Sequence, residues 1–112
     1  MVNYNNKVFK SVSNTNNGEV SSETIFRYYQ EDDIVWGTYK GGSIRFGNLI
    51  AKVDEKGCLD MRYQHINIDD VFMTGVCFSK PKILDDGKIR IYEEWQWTNG
   101  DCSKGTSIIE EI

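Results

Sequence analysis

The chain has 112 residues, and 13 basic against 17 acidic side chains leave a net charge of −4. No basic stripe is visible, which argues against a nucleic-acid binder. No apolar run approaches membrane-span length, and no C-x-x-C spacing suggests zinc. The length fits one domain spanning residues 1–112, able to bury a core without disulfides. The first residues, MVNYNNKVFKS, show no apolar signal region, and Cys58, Cys77 and Cys102 are odd in number and far apart. Both features make reduced thiols and a cytoplasmic location the expectation. Aromatics reach 12%, and ten glycines face a single proline. That balance suits many short strands joined by glycine-marked turns.

Residues 1–6 are polar and read as a frayed end. Residues 7–13, KVFKSVS, form a first strand, and NTNNG at 14–18 is a strong turn. A second strand is expected over 19–30. Val20, Ser22, Thr24, Phe26 and Tyr28 share its uncharged, inward face, and Glu23, Ile25, Arg27 and Tyr29 the other. Residues 34–40, IVWGTYK, are apolar on both faces. Gly41-Gly42 closes a hairpin into residues 43–53, where Gly47 marks a bulge or a bend of the kind a closed barrel needs. Residues 58–67 place Leu59, Met61, Tyr63 and His65 on one face. Residues 71–79 carry Gly75 at their centre, and Pro81 ends that strand.

Residues 88–98, KIRIYEEWQWT, alternate most cleanly of all. Ile89, Ile91, Glu93, Trp95 and Trp97 fall on one face, and Lys88, Arg90, Tyr92, Glu94 and Gln96 on a solvated one. Residues 106–112 form the last strand. No segment carries a helical period with caps. About eight strands in sequence make an all-β antiparallel meander, and closing it removes both edges. The reading is a lipocalin- or avidin-like, calycin-type up-and-down barrel, with a two-sheet sandwich as the alternative. Such a barrel is filled by side chains or holds one small ligand.

Glu93 on an apolar face costs several kcal/mol unless paired, hydrogen-bonded or protonated. Desolvation raises such a carboxyl, which makes it a candidate acid or ligand anchor. The plainer alternative places it near a barrel mouth or bonds it to a neighbouring Tyr or Arg. His65, the chain's one histidine, joins Tyr63 and Glu93 on a common interior if both strands face inward. A His65–Glu93 pair could then move protons near neutral pH, whereas a half-solvated strand end would give His65 no role. Trp36, Trp95 and Trp97 are read as walls of a ligand pocket or as core. With Met61 and Phe26 they complete the candidate ligand-binding set. No catalytic residue can be named, and no metal site is expected.

Residues 17–24 (NGEVSSET), 60–67 (DMRYQHIN), 93–101 (EEWQWTNGD) and 107–112 (SIIEEI) resemble a family of small bacterial proteins of about this length. Its members often carry the label "N-acetylglutamate synthase". The resemblance implies acetyl transfer from acetyl-CoA to glutamate, with acetyl-CoA as the one cofactor. The glycine-rich turn that opens a helix in such enzymes has no match here, so no residue role carries over. The residues alone favour small-molecule binding over catalysis. A homodimer through the partly apolar outer faces of the third and sixth strands is the remaining expectation.

Overall fold

In the computed structural model, which describes residues 2–112, eight antiparallel strands follow one another in chain order and close into a barrel. They are β1 (Lys7–Asn14), β2 (Ile25–Glu31), β3 (Ile34–Gly41), β4 (Ile44–Val53), β5 (Leu59–Asn67), β6 (Phe72–Ile83), β7 (Ile89–Trp97) and β8 (Lys104–Glu111). The barrel closes between β1 and β8, where Phe9 lies opposite Glu111 and Ser11 opposite Ile109. Closure settles the choice between barrel and sandwich. With every strand paired on both sides, no long edge is left to recruit another chain.

Each strand builds its inner face from every second residue. In β7 these are Ile89, Ile91, Glu93, Trp95 and Trp97, while Tyr92 and Glu94 are exposed. The outer row carries the expected cross-strand ion pair. Arg90 faces Glu110 across the β7–β8 ladder and donates to it from Nε at 2.7 Å.

The interior is layered. Phe9, Val35, Leu59, Ile91 and Ile109, all fully buried, fill the end that carries the β2–β3, β4–β5 and β6–β7 turns. Tyr4 plugs it. Its hydroxyl donates to the Gly57 carbonyl at 2.5 Å, and its backbone N–H donates to Gln30 Oε1 at 2.9 Å. The frayed end expected at residues 1–6 is therefore corrected from Tyr4 onward, and Met1 lies outside the described residues. A tyrosine can cover this floor because its ring is apolar and its hydroxyl finds a backbone partner.

Three further expectations change. Strand β2 starts at Ile25, not at residue 19, and residues 15–24 form a loop. Strand β6 runs past Pro81 to Ile83. Its ladder with β5 ends at Ser79, so beyond that point it has one neighbour and tolerates a residue without an N–H. Gly47 is not itself bulged, since the register shift on β4 lies between Ile44 and Phe46. It is a close-approach glycine. Gly47 sits opposite Tyr39, and a Cβ there would lie 2.4 Å from the Tyr39 ring. Gly75 does the same for Tyr63, at 2.2 Å. Glycines on the inner face thus let large rings lie flat across the neighbouring strand.

Candidate functional site

Above the apolar floor the barrel holds a cavity of about 50 Å³, measured as room for the centre of a water molecule. Since one water needs roughly 10–15 Å³ on that measure, the space holds a few waters or one small chemical group. Glu93 of β7 reaches into it from mid-barrel. The ladder places Glu93 opposite Ser79 on β6 and Ser107 on β8, two buried serines. Ser107 Oγ donates to Glu93 Oε1 at 2.7 Å. Oε2 has only the Cys77 thiol, 4.0 Å away.

Burial pushes the Glu93 carboxyl up to about 7, and the Ser107 hydrogen bond offsets part of that rise. The carboxyl keeps some accessible surface because it borders the cavity, although protein surrounds it. The neighbouring acids respond to the same desolvation. Burial first, and the nearby Glu93 second, push the Cys77 thiol and the Tyr28 phenol well above their ordinary values. Tyr28 is 1% exposed, and its hydroxyl has no hydrogen-bond partner. Buried hydroxyls are nearly always paired, so an orphan beside a cavity marks a place for a water or a ligand atom.

The walls are aromatic. Trp95 and Trp97 lie with centroids 5.2 Å apart, Tyr63 meets Trp97 edge-on at 5.9 Å, and Phe26 stacks on Tyr39 at 5.2 Å. Met61 and Leu49 complete the apolar side.

A polar relay crosses the mouth. His65, 3% exposed, joins Tyr39 on one side and the 15–24 loop on the other. Its Nδ1 lies 2.9 Å from the Tyr39 hydroxyl, and its Nε2 lies 2.8 Å from Glu19 Oε1. In the Nε2–H tautomer the phenol donates to Nδ1, and the imidazole donates to the carboxylate. Asn67 Nδ2 donates to Glu19 Oε2 at 3.2 Å. The loop is also held where Trp97 Nε1 donates to the Asn17 carbonyl at 3.0 Å, and where Asn17 Nδ2 donates to the Lys104 carbonyl at 2.7 Å. Gly18, Glu19 and Val20 thereby form the lid of the cavity.

Seven of the eight residues expected around a ligand line this one cavity: Phe26, Met61, Tyr63, His65, Glu93, Trp95 and Trp97. Trp36 does not. It stands on the outer face of β3, 41% exposed and stacked on Tyr29 at 6.1 Å, so its place in the pocket wall is corrected. The ladder dictates this, because Trp36 pairs with Tyr29 and shares its outward face. The expected His65–Glu93 proton pair is corrected too. The carboxylate that His65 binds is Glu19. Tyr39, Glu19 and Ser107 are members of the site that periodicity did not single out, and Tyr28, which it turned inward, was not counted among the ligand contacts. No grouping of three or more His, Cys, Asp and Glu side chains suited to a metal occurs among the described residues.

Beside this closed eight-strand meander with its aromatic-lined interior, the model of a known family, described as avidin-like protein, matches residues 2–112. The chain belongs to the avidin-like protein family. No curated protein and no solved structure matches it. In this avidin-like barrel the cavity lies toward the end opposite the Tyr4 plug, and Gly18, Glu19 and Val20 stand across it.

Proposed function

We propose that this avidin-like protein binds a small molecule inside its barrel, with Glu93, Ser107 and Tyr28 as polar anchors and Trp95, Trp97 and Tyr63 as walls. The observation that carries the reading is the unpartnered Tyr28 hydroxyl beside a half-satisfied Glu93 carboxyl in an aromatic-walled cavity. Buried polar groups left without partners cost stability, and a ligand atom that supplies them recovers it. Membership of the avidin-like family supports the same use of the barrel.

A ligand of metabolite size needs more room than about 50 Å³. Binding therefore moves the 15–24 loop and breaks the Glu19–His65 contact, a lid motion of the usual kind. Trp95 and Trp97 report occupancy by fluorescence once the exposed Trp36 is replaced by Phe. Titration of Trp36→Phe with a metabolite library that includes biotin should shift the emission for at least one member. A silent library refutes the reading.

Acetyl-CoA, which the acetyltransferase label implies, finds no basic side chain in this cavity. The lining has no Lys or Arg for a pyrophosphate. Incubation with acetyl-CoA and glutamate tests the label directly.

A second copy of the chain is the other partner the surface favours. On the outside, Tyr29, Trp36 and Ile50 form a continuous row across β2, β3 and β4, with Trp36 and Ile50 exposed. Light scattering of the protein and of Trp36→Lys decides this. An associating protein that the substitution makes monomeric supports the homodimer, and a strict monomer removes it.

A further inference from the structure

We propose that the cavity selects a small organic cation, an alkylammonium or amidinium head seated between the Glu93 carboxylate and the aromatic walls. This rests on the cavity being a ligand site and names the class of ligand it takes.

Charge comes first. The lining contains two carboxylates, Glu93 and Glu19, and no Lys or Arg. An anionic head would meet like charge in a low-dielectric interior, where repulsion is strong. A cationic head meets a carboxylate that lacks any partner of opposite sign. Pairing also recovers part of the desolvation that Glu93 already bears in the empty barrel.

Hydrogen-bond demand points the same way. Glu93 Oε2 and the Tyr28 hydroxyl both stand without an adequate partner at the cavity. An N–H-rich cation donates to both oxygens at once. An anion could use the Tyr28 hydroxyl but would leave Oε2 unsatisfied and repelled.

The walls complete the case. Trp95, Trp97, Tyr63, Phe26 and Tyr39 surround the space with ring surfaces. Aromatic rings attract cations electrostatically, most strongly when water is excluded. A volume of about 50 Å³ admits an ammonium or amidinium head while its tail points toward the lid.

The groups facing Glu93 from other strands are Tyr28 on β2, Tyr39 on β3, Tyr63 on β5, Cys77 and Ser79 on β6, and Ser107 on β8. His65 lies at the mouth, committed to Tyr39 and Glu19. Burial raises the three phenols and the thiol, so each stays neutral through the neutral range. Glu93 is the facing acid that changes charge there, near pH 7. Cation binding should therefore strengthen as pH rises through 7.

The test is calorimetric titration with three four-carbon probes: n-butylammonium, n-butanol and butanoate. At pH 8 the cation should bind at least about tenfold more tightly than the alcohol, and butanoate should not bind. At pH 5.5 the cation should lose about tenfold or more, as Glu93 protonates. In Glu93→Gln the preference for cation over alcohol should vanish. Tyr28→Phe, which keeps the ring and the charge, should weaken the cation severalfold and leave its pH dependence in place. The inference is overturned if alcohol or butanoate matches the cation, or if Glu93→Gln, shown to be folded, keeps the preference. It is also overturned if none of the three probes binds. Alcohol binding without selectivity, or binding of a neutral library member alone, would sink the cation and leave the ligand cavity standing. Silence from the probes and from the whole library would sink both.

Discussion

Replacing Glu93 by Gln should stabilise the protein above neutral pH and leave it almost unchanged in mild acid. The carboxyl rises from 4.5 to about 7 on folding, mainly through burial. Each unit corresponds to about 1.4 kcal/mol, so the ionised carboxylate costs the folded state about 3 kcal/mol. Between pH 4.5 and 7 the folded chain keeps the proton that the unfolded chain has released. Stability therefore falls as pH rises through that window, and the full penalty stands above pH 7. Glutamine has nearly the same shape and no charge, and Ser107 remains close enough to pair with it. Urea unfolding at pH 5, 6, 7 and 8, followed by tryptophan emission, measures the difference. With a urea slope of about 1–1.5 kcal/mol/M for a domain of this size, Glu93→Gln should shift the midpoint upward by about 2 M at pH 8. At pH 5 the two proteins should agree within about 1 kcal/mol. A difference of the same size at both pH values would refute the reasoning. So would a Gln variant less stable than the parent at pH 8. Either result would mean that the carboxylate is satisfied where it stands.

Gly75→Ala places a Cβ 2.2 Å from the Tyr63 ring and should cost about 1–3 kcal/mol by overpacking, measured by thermal or urea unfolding. Tyr4→Phe removes the hydrogen bond to the Gly57 carbonyl but keeps the ring in the floor. It should cost about 1–2 kcal/mol with tryptophan emission unchanged; a neutral result would mean that water replaces the hydroxyl. Glu19→Ala removes the His65 and Asn67 contacts that hold the lid. Losing about 1 kcal/mol of local stability should raise amide exchange in residues 15–24 roughly fivefold, with strand exchange unaltered; unchanged loop exchange would show that the Asn17 contacts suffice.

Much of the barrel could be read in the sequence because period-2 alternation is a direct record of a sheet with one buried face. In β7 it gave the face, the lone acid and both tryptophans. It failed where both faces are apolar or where polar residues happen to alternate. Strand β3 offers Ile34, Trp36 and Thr38 on one face and Val35, Gly37 and Tyr39 on the other, and size alone favours burying the tryptophan. The decisive signal was parity across the Asp32-Asp33 turn. Glu31 pairs with Ile34, so Trp36 must share the face of Tyr29, which already reads as outward. The segment 19–24 alternates as well, yet it is rich in Ser, Thr and Glu, with Val20 as its one large apolar residue. That composition signals a loop more than a strand. Glu19 was hidden by this misreading, and Tyr4 by the polarity of its neighbours. Nothing local marks a residue whose partner, Gly57, is fifty-three positions away.

A carboxyl penalised by about 3 kcal/mol is a large share of the 5–15 kcal/mol that holds a typical domain together. Local rules are usually broken where function requires it, and here the breach lies at one level of the barrel. Below Glu93 the interior is mostly apolar, with Ser11 its buried polar side chain, and is sealed by Tyr4, a route that a ligand could open only by dismantling the core. Above it the seal is a loop held by side-chain bonds to His65, Asn67 and Trp97, each breakable without loss of a strand pairing. Entry of the proposed ligand is therefore one-sided. If the barrel binds a ligand as proposed, His65 is the catch of that door rather than the chemistry behind it. If Glu19→Ala loosens the loop yet leaves the on-rate of a cavity ligand unchanged, access must run elsewhere and the catch has been misassigned.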